Sequence, residues 1–466
     1  MEKPESRSRS PNGYPMSKPV FGSRFFTKPR MVICLLLSVC YLTLTAFMST
    51  YERYGDTDGS KYPSVLGDAA NPPTLGGGVG RANMYKELRT LRDLAKDLAI
   101  KDAEIALANT SVYSVTLKPQ NAPSGDPHDY LSLAKYFWRN PDTPDGLPYI
   151  RRDGFVNPEV ETVQDYRLLR QMLREVYRLS LAFQLTGNET YAAKASDRLY
   201  EWFVDPETKM NPHFHWGSLR KGNTHGSRTG ILDMFPVYKL TSLIKVIQII
   251  PHLQKSSSYT PALEEALQDW FSKYWNWLST SNLAAQESKG VNNHGTYYDV
   301  QVIPIARFLG KHDVAKKMAT KAVTFRLDRQ IRANGAQPHE ASRPTSWFYS
   351  IFNLAGMFLL AQQCQMSDVD MWYHVGPDGQ TLKSALDYLL PYALSNGKDW
   401  PYSNIKGYPV INLVPLVEMG YIKWGDPAYL EALPQLRHQA ELERENTRPL
   451  SDIFCQISEL LEDRVF

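Results

Sequence analysis

The stretch LLRQMLREVYRLSLAFQLTG, residues 168–187, carries the reading of the fold. Leu168, Leu169, Met172, Leu173, Val176 and Leu179 recur at intervals of three and four, the spacing of one face of an α-helix. Gly187 closes the run, where helices commonly end on a left-handed glycine. A second helical pattern with Ala193, Leu199 and Trp202 resumes at once, so the two read as a hairpin. The same punctuation returns at Ile305 to Gly310, followed by Ala315, Met318, Ala319 and Ala322. It returns more loosely at Leu354 to Ala361, followed by Leu382 to Leu394. Few runs alternate with the period of two that marks a strand. A long series of amphipathic helices with short turns predicts an all-α body of stacked helix pairs. An α/α toroid is the closed form of that arrangement, and periodicity alone does not show closure.

Upstream, Met84 to Asn109 reads as a helix, with Leu88, Leu91, Leu94, Leu98 and Ile105 near helical spacing. Residues 111–160 are rich in Pro, Gly and Asp and hold a strand-like piece at Ser111 to Thr116. Residues 209–230 form a second loop-like, polar and aromatic stretch. Loops of such length inside a compact helical body usually carry function.

Met31 to Thr50, MVICLLLSVCYLTLTAFMST, holds no charge over 20 residues, and about 20 suffice to span a bilayer. Seven Lys and Arg precede it against Glu2 and Glu5, while Glu52, Asp56 and Asp58 follow. The positive-inside rule then keeps the N-terminus cytosolic and sends the rest to the lumen or the cell exterior. A cleaved signal peptide on a secreted protein is the alternative. The 30-residue basic leader and the lack of a clear A-x-A site favour an uncleaved anchor. Sequons at Asn109-Thr110-Ser111 and Asn188-Glu189-Thr190 agree with a lumenal body. Cys34 and Cys40 lie in the apolar span, leaving Cys364 and Cys455 as one disulfide or two buried thiols. Outside the basic leader the chain carries 45 basic and 47 acidic residues. That balance lacks the basic footprint of a nucleic-acid partner, while a local basic cleft stays compatible with it. The 27 Tyr and 10 Trp supply rings that pack cores and stack on sugars.

Three clusters hold reactive side chains. VNNHGTYYDVQ (291–301) packs amides, an imidazole and phenols before a helical run. QPHEASRPTSWFY (337–349) adds a guanidinium and a further phenol. SGDPHDY (124–130) leads to Tyr136-Phe137-Trp138, then to Gly146-Leu147-Pro148-Tyr149 and Arg152-Asp153-Gly154. Asn292 is expected to cap the helix that follows it. His213 and His215 sit two apart without the partner spacing of a metal site, and Trp216, Trp347 and Trp400 are stacking candidates.

In order, over residues 105–430, these runs resemble the signatures of alginate-lyase-domain proteins. The chain is closer to their Asn-Asn-His-Gly-Thr type than to the shorter bacterial poly-mannuronate lyases. The resemblance implies an α/α toroid, an incomplete barrel of helix hairpins. It further implies eliminative cleavage of a β-1,4-linked uronic-acid polysaccharide, of glucuronan or mannuronate type, by a monomer without cofactor or metal. The expected organisation is a cytosolic basic tail (1–30), a transmembrane signal anchor (31–50), a Gly/Pro-rich stalk (51–83), a catalytic domain (84–440) and a helical extension (441–466).

A lyase removes the proton on C5 of a uronate and expels the group on O4. The C5 proton is poorly acidic while the neighbouring carboxylate is charged. One preorganised donor on that carboxylate is worth about 3 kcal/mol in the transition state. By this chemistry and the resemblance, Asn293 and Arg343 serve the carboxylate. His294 is the base or a third carboxylate contact, and Tyr349 protonates O4 or also acts as base. Where the C5 hydrogen and O4 share a side, one group can serve both steps; where they are opposed, two are needed. A tyrosine base must overcome a pKa of about 10, and Arg343 with a cationic His294 is expected to lower it. Arg343 also has Glu340 nearby as a purely structural partner. His128, Asp129, Tyr130, Arg228, Tyr297, Tyr298, His339 and Trp347 are candidates for substrate binding, with Tyr297 and Tyr298 as rivals to Tyr349. Two other readings remain: a glycoside hydrolase on the same toroid using Asp129 and Glu340, and a non-catalytic glycan-binding protein.

Overall fold

Helix α1 (96–108) turns Ala99, Ala103 and Ala106 inward, and Ala99 meets Tyr177 and Leu181 of the next long helix. Ile105, placed on the apolar stripe by its spacing, is 61% exposed. Small side chains on the inward face let the helix lie close. The structure is a computed structural model, and it describes residues 96–223, 225–234 and 243–445. Leu88, Leu91 and Leu94, the apolar segment 31–50, the stalk and Cys455 lie outside the described residues. Among the described residues no helix is long and apolar enough to cross a membrane, and Cys364 is a buried free thiol.

Ser111 to Thr116 is not a strand. The Ser114 hydroxyl accepts the Thr116 N–H at 3.0 Å and caps a 3-10 turn, Val115–Leu117. Four short strands follow: β1 (Leu131–Leu133), β2 (Phe137–Trp138), β3 (Ile150–Arg151) and β4 (Trp216–Leu219). β1 pairs parallel with β4, and β2 pairs antiparallel with β3. Asp165 ties β1 to the helices: it accepts the Leu131 N–H at 2.9 Å and faces buried Lys118 at 3.5 Å.

The helices follow the expected punctuation. α2 (Asp165–Thr186) ends on Gly187 at φ 70°, whose N–H donates to Phe183 O. α3 (Glu189–Phe203) starts from Asn188, whose side chain accepts the Thr190 N–H. Then come α4 (Leu243–Leu253), α5 (Pro261–Thr280), α6 (Asn282–Ser288), α7 (Asn293–Phe308) and α8 (His312–Ala322). α8 runs on through a wide π-type turn, Val323–Leu327, and a last turn, Asp328–Gln330. One turn, α9 (Pro338–Ala341), precedes α10 (Ser346–Gln365), α11 (Leu382–Leu394), α12 (Val414–Trp424) and α13 (Pro427–Glu445).

Packing runs α2 to α4, α4 to α7, and α7 to α10, with α3 on α2 and α8 on α7. α7 and α10 are buried on nearly every face, whereas α8 buries only Ala315, Ala319 and Ala322. A helix apolar all round belongs inside, and one with a narrow stripe belongs outside. The body is therefore mostly helical, with α7 and α10 at its centre. Their N-termini carry the two principal motifs.

Candidate active site

The first turn of α7 is held by a clamp. Arg326 donates from Nη1 to Gly290 O at 2.7 Å, from Nη2 to Ser288 O at 2.8 Å, and from Nε to Asp299 at 2.6 Å. A Cβ on Gly295 would overlap both Gly290 O and the Arg326 guanidinium, so the residue after His294 has to be glycine. Asn292 occupies the cap position, but its side chain makes no capping bond. Its carbonyl instead accepts the Gly295 N–H at 3.0 Å. The expected side-chain cap is thus replaced by the Arg326 clamp.

Asn293 and Glu340 join the two motifs. The Asn293 backbone N–H donates to Glu340 Oε1 at 2.6 Å, and Nδ2 lies 2.9 and 2.7 Å from its two oxygens. An amide nitrogen carries two diverging hydrogens, so one N–H faces Glu340 and the other lies outside that contact. Burial lifts the Glu340 carboxyl to about 7, against the pull of the Asn293 donors and of His294 and Arg343.

His294 sets Nδ1 against Glu287 Oε1, and the other Glu287 oxygen takes Arg228 Nη1 at 3.2 Å. Glu287 is fully buried, and the His294 side chain is 18% exposed. Facing a carboxylate, Nδ1 is assigned as the donor, which leaves the lone pair on Nε2. Neither Glu287 nor its link to His294 stood out in the sequence. A Glu at i−7 in a helical region reads as an ordinary surface residue.

Arg343 pairs with Asp153, not Glu340. Its Nε and Nη2 donate to the two Asp153 oxygens at 2.8 and 2.7 Å. Burial alone would raise Asp153, but the Arg343 and Arg151 guanidiniums outweigh it and hold the carboxyl below its usual range. The Arg343 guanidinium also lies 3.7 Å from the centre of the Tyr349 ring, and Tyr349 Oη donates to Tyr136 Oη at 3.1 Å. The expected lowering of Tyr349 does not occur. Burial, with Tyr136 adding to it, pushes the hydroxyl well up, and Arg343 offsets only part of this. Tyr349 is a protonated phenol at neutral pH.

Several other candidates sit elsewhere. Tyr130 is fully buried with its hydroxyl on Asp233, and Trp347 is fully buried with Nε1 on Pro409 O at 2.9 Å. Tyr297 and Tyr298 are buried and donate to the backbone carbonyls of Phe352 and Leu278, both at 2.9 Å, which removes them as rivals to Tyr349. Trp400 is buried with Nε1 on Ser346 Oγ. His128 binds Lys209 O through Nδ1 at 2.7 Å, a tie between loops. His339 is exposed and its ring has no hydrogen-bond partner among the described residues. Asp129 is a buried hub that receives Ser124, Asn211, Trp216 and His213. Burial opposes its charge, yet these bonds hold it well below the usual carboxylate range. With Asp129 and Glu340 both enclosed by internal donors, the paired carboxylates of the hydrolase reading have no reach to a sugar.

Arg228, also a candidate, serves Glu287 while remaining half-exposed. Beside it stands Arg220, exposed, with its guanidinium 4.5 Å from the Phe137 ring centre and no carboxylate partner among the described residues. Burial, then the charges of Arg151 and Arg228, depress its pKa, and those two guanidiniums are themselves paired with Asp153 and Glu287. Among the described residues no group of three or more His, Cys, Asp and Glu is placed to hold a metal.

The sequence model of the alginate lyase family matches residues 114–400. Among solved structures the chain is similar to an alginate lyase from Bacteroides ovatus, with 33% identity over 78% of this chain and 92% of that one and a TM-score of 0.69. It is more distantly similar to two variants of alginate lyase A1-III complexed with a tetrasaccharide, both at 14% identity over 63% of this chain. They are covered over 76% and 75% of their lengths, with TM-scores of 0.40 and 0.41. No curated protein sequence matches the chain at a significant level. A family match over more than half the chain, joined to a relative of that identity and coverage, establishes that the chain belongs to the alginate lyase family and is a polysaccharide lyase.

Proposed function

We propose that the chain cleaves a β-1,4-linked uronic-acid polysaccharide, of glucuronan or mannuronate type, by β-elimination. The observation that carries this reading is that Asn293 and the charges of His294 and Arg343 all act on Glu340, while the Tyr349 ring lies against the Arg343 guanidinium. His294 turns Nδ1 to Glu287, which leaves Nε2 for the substrate, and Tyr349 is kept protonated by burial. His294 takes the C5 proton, and Tyr349 gives its proton to O4. Asn293, through the N–H not facing Glu340, and Arg343 stabilise the charge that develops on the uronate carboxylate. The Arg220 guanidinium, exposed and without a carboxylate partner among the described residues, supports an acidic polymer. The name of the Bacteroides ovatus relative, an alginate lyase, supports the same class of polymer.

In this reading the helix pairs form an incomplete toroid, and the body is held by residues 31–50 as a type II anchor on the lumenal or extracellular side. The test of activity is ultraviolet absorbance. The protein is incubated with glucuronan, poly-mannuronate, poly-guluronate and uronate-containing glycosaminoglycans. A rise from 4,5-unsaturated ends is expected on a uronan. Reducing ends without that absorbance would sink the elimination, and binding without either product would leave a glycan-binding protein.

A further inference from the structure

Among the described residues Glu287 is the one buried carboxylate hydrogen-bonded to the His294 ring, and it closes a chain of three residues. On one oxygen it meets His294 Nδ1, and on the other Arg228 Nη1 at 3.2 Å. The His294 side chain is 18% exposed while Glu287 has no exposure, so a substrate reaches the ring but not the carboxylate. The charged groups tied to the ring are Glu287 on α6, Arg228 on the 3-10 segment Arg228–Met234 through Glu287, and Glu340 on α9 through its charge. Of these, Glu287 alone is hydrogen-bonded to it. Which imidazole nitrogen holds the proton is set by the bond that the other nitrogen makes.

We infer that Glu287 is a positioning residue, holding His294 in the Nδ1–H tautomer with Nε2 turned to the substrate, while Arg228 anchors its far oxygen. The inference rests on the reading that His294 takes the C5 proton. In that step the C5–H bond breaks and its proton goes to Nε2. The electron pair left behind forms the C4=C5 double bond, the C4–O4 bond breaks, and O4 receives the Tyr349 proton. The imidazolium that results lies against a carboxylate already in place, so no reorganisation is needed to meet its charge.

Glu287→Gln keeps the size of the side chain but removes its charge and can donate to Nδ1. The ring then takes the Nε2–H tautomer and loses its lone pair toward the substrate. Nitrogen NMR of full-length protein labelled with 15N-histidine, assigned by loss of one signal in His294→Ala, reads this without turnover. We expect Nε2 of His294 to be unprotonated in the wild type and protonated in Glu287→Gln. We expect kcat to fall about ten- to a hundredfold, the range for a histidine that loses its orienting partner, with KM unchanged. Glu287→Asp, which keeps the charge, should retain the Nδ1–H signal and more of kcat, and it stands in if the Gln variant does not fold. An unchanged tautomer, an unchanged kcat, or a loss confined to KM overturns the inference. A wild-type protein that forms no unsaturated product overturns the lyase reading instead, and the tautomer measurement still decides the role of Glu287.

Discussion

Tyr349 and His294 both carry an exchangeable proton, and the proposed reaction gives them opposite tasks. Burial raises the Tyr349 hydroxyl more than the Arg343 cation can lower it, so the phenol is an acid before it is a base. His294→Ala and Tyr349→Phe are each expected to lower kcat by roughly a hundredfold or more, the scale of a lost acid or base. Both variants should keep the wild-type circular dichroism spectrum. Wild-type turnover in either would remove that residue from the chemistry. Glu340 makes a separate prediction. Its carboxyl rises from 4.5 to about 7 in the folded chain, so its contribution to stability is fully present below pH 4.5 and lost as the pH climbs through 7. Glu340→Gln has no such titration. The melting temperature of the wild type should therefore fall relative to that of Glu340→Gln between pH 4.5 and 7, and a pH-independent difference contradicts the assignment. At this scale the sequence singled out Asn293, His294, Arg343 and Tyr349 as candidates, because motif chemistry names residue types. It gave no sign that Tyr130, Tyr297, Tyr298 and Trp347 are buried on internal partners, because an aromatic looks the same in sequence whether it faces a core or a cleft. Glu287 stayed hidden because its partners, His294 and Arg228, meet it only in the fold.

Among the elements, the turn into α7 is where local backbone decides function. Gly295 has no room for a Cβ against Gly290 O and Arg326. Gly295→Ala is expected to destabilise the protein by roughly 1–3 kcal/mol, the usual cost of overpacking. It should also displace Asn293 and His294, so that kcat falls along with the melting temperature. Full activity in a stable Gly295→Ala protein would mean that the clamp does not set the site. The sequons differ by their elements too. Asn109 spends Nδ2 on Glu175 at 2.6 Å and on Tyr113 at 2.7 Å, whereas Asn188 is exposed and uses only Oδ1, as the cap of α3. If the body is lumenal, mass spectrometry of glycopeptides should find sugar on Asn188 and little on Asn109; the reverse order contradicts this placement. Hairpins such as α2–α3 and α7–α8 were legible because Gly187 and Gly310 break a strong helical period. The piece at Ser111 to Thr116 was not, because β-type composition is overruled by one Ser114 side-chain bond. In α1 Ile105 is exposed and Ala99, Ala103 and Ala106 face inward, which the spacing of the larger residues did not show.

For the whole molecule, two motifs separated by about fifty residues meet because α7 and α10 pack side by side at the centre of the body and Asn293 reaches Glu340 across them. The near-neutral charge of the body gave no sign of Arg151 and Arg220, since net charge carries no information about position. The all-helical class was readable from periodicity, while the order in which the helix pairs pack was not, because it depends on long-range contacts. The central claim is that the bond is broken by elimination and not by water. Mass spectrometry of oligosaccharides released from a uronan in 18O-labelled water tests it directly. Elimination predicts that the fragment carrying the new non-reducing end is lighter by one water than its saturated counterpart, and that bond cleavage incorporates no 18O beyond exchange at the reducing end. Saturated fragments carrying 18O at the cleaved bond would contradict it.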